Sequence, residues 1–170
     1  MGIAVSSKKV AIKDLATLDL FQGLNEKELM ALIPLCRVEI MEKNTVIHPE
    51  GACADDIFFL TGKNDAIQVE LPIEGFNTIV TNVISKGQLF GWCSLVARQL
   101  RTTQAHCTED TEVIALKGSD LMNLLEKNNH MGYVVMKNFS GILCSRLTYT
   151  SVSLRYFVRQ LTKSDQNWRV

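Results

Sequence analysis

The sequence predicts an α+β, mainly β domain: an antiparallel barrel or jelly roll with helices on both sides. Three observations carry this. Residues 12–35 space their apolar positions helically, and residues 36–116 break into short Val-, Ile-, Thr- and Phe-rich runs between turn signals. Helical periodicity then returns over a long stretch, residues 132–161. Short runs joined by regular turns favour antiparallel pairing, because a parallel pair needs a long crossover.

The chain opens Met1-Gly2-Ile3-Ala4-Val5-Ser6-Ser7-Lys8-Lys9, a formal match to an N-myristoylation signal followed by lysines. It reads instead as a disordered start, and residues 1–11 are assigned to a flexible N-terminus. In the next segment Leu15, Leu18, Leu20, Phe21, Leu24, Leu29, Leu32 and Ile33 recur at mixed three and four spacing. Gly23 interrupts the pattern. Asn25 caps a second helix, Glu28 three residues on completes a capping box, and Pro34 marks the approach to its end.

Seven strands are predicted: Val38–Ile40, Thr45–Ile47, Ile57–Leu60, Ala66–Leu71, Thr78–Ile84, Ala105–Cys107 and Val113–Leu116. Turns fall at Lys43-Asn44, Pro49-Glu50-Gly51, Thr61-Gly62-Lys63-Asn64, Glu74-Gly75 and Lys86-Gly87. After Gly118 a helix is expected, capped by Ser119 or Asp120, with Leu121, Met122, Leu124 and Leu125 on its apolar side.

The long helix carries two stripes. Met136, Leu143, Leu147, Leu154 and Leu161 form one, and Val135, Ile142, Tyr149 and Tyr156 the other. Two apolar faces imply two partners: the barrel on one side and a second subunit on the other. The alternative is a helix buried wholly in its own domain. The core domain is thus assigned to residues 12–161, and residues 162–170 to a flexible tail.

A chain of 170 residues suits one domain with a sizeable core. Its formal net charge is zero, which argues against general attraction to nucleic acid or anionic membranes. No apolar run is long enough to span a bilayer, and no secretory signal is evident. Cys36, Cys53, Cys93, Cys107 and Cys144 are odd in number and widely spaced, as for reduced thiols in a cytoplasmic protein. Neither the cysteines nor His48, His106 and His130 share metal-ligand spacing, so no metal and no cofactor is expected. No nucleophile–base constellation is visible, and the chain is not read as an enzyme.

One run has the parts for holding a phosphate: Gly87-Gln88-Leu89-Phe90-Gly91-Trp92-Cys93-Ser94-Leu95-Val96, then Arg101-Thr102-Thr103. Gly91 permits a turn that brings backbone close to an anion. A short apolar helix comes next, and the amides of Cys93, Ser94 and Leu95 at its start are candidate donors. Arg101 supplies a permanently charged planar fork, and Thr102 a hydroxyl. Cys93 reads as a small buried residue, with redox sensitivity a minor alternative.

From about Leu20 to Leu161 the chain resembles the cyclic-nucleotide-binding domain. The resemblance rests on Leu20-Phe21-Gln22-Gly23-Leu24, on Pro49 to Gly62, and on Gly87 to Thr103, which is similar to the family's phosphate-binding cassette. It implies a double-stranded β-helix jelly-roll barrel flanked by N-terminal helices and a long C-terminal helix. It also implies a ligand, cAMP or cGMP, held at Gly91, Trp92, Cys93, Ser94, Leu95, Arg101, Thr102 and Thr103, with Arg101 preferred to Arg98 on spacing.

Trp92 departs from the pattern, since the family places there a glutamate that binds the ribose 2′-hydroxyl. Ser94 replaces a usual alanine, and Gln104 sits where a small residue is frequent. Losing a hydrogen bond to a charged group weakens binding roughly ten- to a hundredfold. The indole either closes an empty pocket or stacks on a ligand.

Two readings are open. In one, the chain is a cytoplasmic ligand sensor that signals through its C-terminal helix and forms a homodimer. In the other, it is a degenerate dimerisation or interaction module without ligand, or a catabolite-activator-type regulator truncated before its helix-turn-helix. Only Arg155, Arg159, Lys163 and Arg169 remain as basic residues near the end of the chain, so direct nucleic-acid reading is not expected.

Overall fold

The computed structural model describes residues 3–63, 65–73, 78–96 and 100–166. The acylation match at Gly2, the Glu74-Gly75 turn, Asn64, Arg98 and Arg169 lie outside the described residues, as do the side chains of Leu161 and Lys163.

The strands are β1 (Ile3–Val5), β2 (Arg37–Met41), β3 (Val46–His48), β4 (Asp56–Leu60), β5 (Ile67–Leu71), β6 (Ile79–Ile84), β7 (Leu89–Phe90), β8 (Gln104–Cys107) and β9 (Thr111–Lys117). They form two antiparallel sheets, ordered β1-β2-β9-β4-β7 and β3-β8-β5-β6. Each of the seven predicted strands is present. β1 and β7 are additional. In β1, residues 3, 4 and 5 pair antiparallel with Met41, Ile40 and Glu39 respectively.

The fold is mainly β because its central strands are buried on both faces. In β4, Ile57 and Phe59 face one core while Phe58 and Leu60 face another. β9 alternates likewise, with Ile114 and Leu116 against Val113 and Ala115. The period-two alternation of a strand makes the unbroken run Ile57–Leu60 serve two cores at once. One core fills the space between the sheets. The other lies between the first sheet and the helices, around Leu15, Phe21, Leu32, Leu121, Val135 and Phe139.

The helices are α1 (Ile12–Leu15), α2 (Glu26–Leu32), α3 (Gly118–Lys127) and α4 (Asn129–Gln166), with short 3-10 turns at Asp19–Phe21 and Ile33–Leu35. The predicted capping box closes at α2. Asn25 Oδ1 accepts from the Glu28 amide, and Glu28 accepts from the Asn25 amide, both at 3.0 Å. α3 differs from expectation. Its N-cap is Lys117, with no side-chain cap, and Ser119 and Asp120 fall inside the first turn. The backbone packs closely there: a Cβ on Gly118 would lie 2.5 Å from the Ser94 carbonyl oxygen.

α4 begins at Asn129, before the expected start, and runs through Gln166 into the region assigned to a flexible tail. Asn128 caps it, accepting from the Met131 amide at 3.1 Å. Its two apolar stripes divide along the axis as well as around it: at the start Val135 is buried while Met136 is exposed. Met131, Val135 and Phe139 are buried, and Ile142 and Leu143 pack against the same core. From Leu147 onward, Tyr149, Val152 and Leu154 of both predicted stripes and the face between them are exposed. No helix among the described residues is long and apolar enough to cross a membrane.

Candidate functional site

The phosphate-cassette run is built at the end of β7. Phe90 is buried between the sheets, and Gly91 then turns left-handed, at φ 68°. The chain continues into a single 3-10 turn, Trp92–Leu95, shorter than the apolar helix the sequence predicts. One such turn carries little dipole, so charge for an anion must come from side chains.

Arg101 supplies one. It is only 4% exposed. Its Nη1 donates to the Gly91 carbonyl and its Nη2 to the Asp56 carbonyl at 2.6 Å. The guanidinium carbon sits 6.0 Å from the Phe58 ring centroid. Nε is buried without a partner. Burial lowers the pKa of this cation, opposed by the nearby Cys93, Asp56 and Asp55. Neutral carbonyls fix where it points, and among the described residues no carboxylate pairs with it.

A cavity of about 330 Å³ opens in front of it, walled by β5, β6, the Gly91 turn and α4. That is near the lower end for small-molecule sites. Six of the eight predicted residues line it: Gly91, Trp92, Cys93, Arg101, Thr102 and Thr103. Two do not. Leu95 is buried in the helical core, and Ser94 packs its carbonyl against Gly118.

Trp92 lies between two roles. Its indole meets the Phe139 ring edge-on, at 6.1 Å and 61°, and so ties the cassette to α4. It also lines the cavity without filling it. Gln104 belongs to neither. Its Nε2 donates to Glu70 at 2.9 Å, and His106 approaches the other oxygen of that carboxylate at 3.2 Å.

Sequence reasoning missed three residues of the site. His48 is 7% exposed and stacks on Phe58 and Phe90 at 6.3 and 6.5 Å. An irregular register between Val46 and His48 sets it in the wall. Burial, with Arg101 nearby, holds its pKa down at about 4, against a weak opposing pull from the Thr103 backbone. Neither ring nitrogen has a partner at hydrogen-bonding geometry among the described residues.

Arg146 reaches in from α4, donating to the Leu89 carbonyl at 3.3 Å, and Asn82 stands on β6. Spacing held a signal for Arg146. It comes four residues after Ile142 and three after Leu143, so it shares the covered face.

Among the described residues no group of three or more His, Cys, Asp and Glu could hold a metal ion. No family model matches the sequence, and no curated protein matches it. Solved structures do. The chain aligns with a cyclic nucleotide-binding domain from Methylobacillus flagellatus at TM-score 0.70 and 16% identity, covering 89% of this chain and 81% of that one. It aligns with the catabolite activator protein of Thermus thermophilus at 0.68 and 21%, covering 82% and 63%. The regulatory domain of Toxoplasma gondii PKA, solved with cAMP, aligns at 0.59 and 19%, covering 66% and 42%. The two sheets, the Gly91 turn between them and the long closing helix are those of the cyclic-nucleotide-binding fold, and this chain has that fold.

Proposed function

We propose that the chain is a non-catalytic sensor of a small phosphate-bearing ligand, held in the cavity between the β-roll and α4 and read out through α4. The observation that carries this is Arg101: a buried cation whose Nε has no partner among the described residues, facing a cavity that no acidic residue among them lines. Burying an unpaired charge is costly, and an anion in the cavity offsets that cost. Thr102 and Thr103 supply hydroxyls beside it.

The cavity stays open around Trp92, which favours a ligand over the plugged, ligand-free reading. α4 forms one wall, so an occupant biases its position, a two-state change of the kind that passes to a partner. The fold shared with regulatory neighbours supports the same reading.

Calorimetric titration with cAMP, cGMP, glycerol 3-phosphate and 3-phosphoglycerate tests it. At least one is expected to bind in the sub-millimolar range, with binding lost in Arg101→Ala. No saturable binding by any of them, or binding indifferent to Arg101→Ala, overturns it. Trp92 fluorescence gives an independent signal.

A further inference from the structure

Arg146 is the second desolvated cation of the same cavity. Burial lowers its pKa, and Asp19 opposes that only at a distance. The Asp19 carboxylate is committed elsewhere: it accepts from the Leu20 amide at 2.8 Å and the Leu89 amide at 3.1 Å. Arg146 forms no ion pair among the described residues, and its hydrogen bond to the Leu89 carbonyl is long at 3.3 Å. Arg37 shows how the chain treats an arginine held for stability, binding Glu39 at 2.6 Å and Asp56 at 2.7 Å. Among the described residues Arg101 and Arg146 have no such partners, yet both face one cavity whose described lining holds no acidic residue. The wall's histidine, neutral or protonated, carries no negative charge to balance them. Asn82 and Arg146 line both this cavity and a second, of about 580 Å³, whose wall also carries Asp19 and Lys137.

We infer that the natural ligand carries two anionic groups: a phosphate at Arg101, Thr102 and Thr103, and a second anion, a carboxylate or another phosphate, at Arg146 and Asn82. The inference rests on the phosphate-sensor reading and names its ligand class. A cyclic mononucleotide has one phosphodiester charge and a ribose hydroxyl. It leaves one arginine unanswered and finds no carboxylate among the described lining residues to receive the hydroxyl. A phosphorylated carboxylic acid answers both cations.

The experiment compares 3-phosphoglycerate with glycerol 3-phosphate, which differ by one carboxylate, and includes phosphoglycolate and 6-phosphogluconate to vary the reach. Calorimetry is run on wild type, Arg146→Gln and Arg101→Ala. At least one phosphocarboxylate is expected to bind about tenfold or more tighter than both glycerol 3-phosphate and cAMP. Arg146→Gln is expected to erase that advantage, bringing the phosphocarboxylate to the affinity of glycerol 3-phosphate in the same variant, whereas Arg101→Ala weakens all of them.

Phosphate compounds that bind through Arg101 with no advantage for a second anion, or an advantage that survives Arg146→Gln, overturn the two-anion inference and leave the sensor standing. No saturable binding by any compound overturns the sensor reading itself. The wild-type comparison needs no variant, so a poorly folding substitution does not blunt the test.

Discussion

Gly91 is fixed by two separate constraints. Its φ of 68° suits glycine, and a Cβ there would lie 2.9 Å from Arg101 Nη1 and 3.0 Å from Phe58 Cδ2. Gly91→Ala is therefore expected to cost about 1–2 kcal/mol from the backbone alone, and more as Phe58 is displaced. Urea unfolding measures it, and a neutral result would mean the turn relaxes freely.

His48 makes a pH prediction. Its folded pKa of about 4 lies below the ordinary 6.5, so the unfolded chain takes up the proton first as pH falls. Stability is full above pH 6.5 and drops between 6.5 and 4, by about 3 kcal/mol at most. Subtracting the profile of His48→Gln isolates this slope from the carboxylates, and parallel profiles would refute it. The cassette was legible because its glycines and Arg101 sit at fixed spacing. His48 was not, because an irregular strand register that re-aims one side chain leaves no mark in the sequence.

At the scale of elements, the joint between α2 and α4 shows which contacts matter. Glu28 holds the α2 cap and meets His130 Nδ1 at 2.7 Å, which keeps its carboxyl below the usual range. His130 is largely exposed, so that pair contributes little in water. Asn138 has more effect. Its Nδ2 donates to the carbonyls of Leu20 at 3.1 Å and Gln22 at 2.8 Å, fastening α4 to the turn before Gly23.

Asn138→Ala is expected to cost about 1–2 kcal/mol, since both carbonyls lose their donor. Asn128→Ala should cost about 1 kcal/mol through the lost cap. Denaturant midpoints of the two variants and their double mutant check both, with additivity expected because the residues share no partner. Helix and strand identities were legible because apolar periods of 3.6 and 2 differ. The division of α4 along its length was not. A stripe in a sequence names a face, and where the underlying roll ends is a tertiary fact.

On the scale of the whole molecule, α4 changes character at the cavity. Phe139 is buried against Trp92, Arg146 lines the cavity, and the next residue, Leu147, is 69% exposed. Leu154, seven residues further on, is 62% exposed, with Val152 and Val158 also exposed. A seven-residue apolar repeat favours a left-handed pairing of helices, and a second copy of this chain presents the matching stripe.

We propose that α4 mediates a homodimer through this stretch. Burying a leucine contributes about 1.5–3 kcal/mol, so Leu147→Lys with Leu154→Lys, present in both copies, should weaken association about a thousandfold or more. Light scattering across a dilution series checks it, and a monomeric wild type at high concentration removes the proposal. Because Arg146 and Leu147 are adjacent on one helix, ligand and dimer should be coupled. If an occupant of the cavity shifts the dimer constant, dimerisation must shift ligand affinity by the same factor. Titrating the best phosphate compound into wild type and into the double lysine variant measures that factor, and equal affinities would show a dimer blind to the cavity.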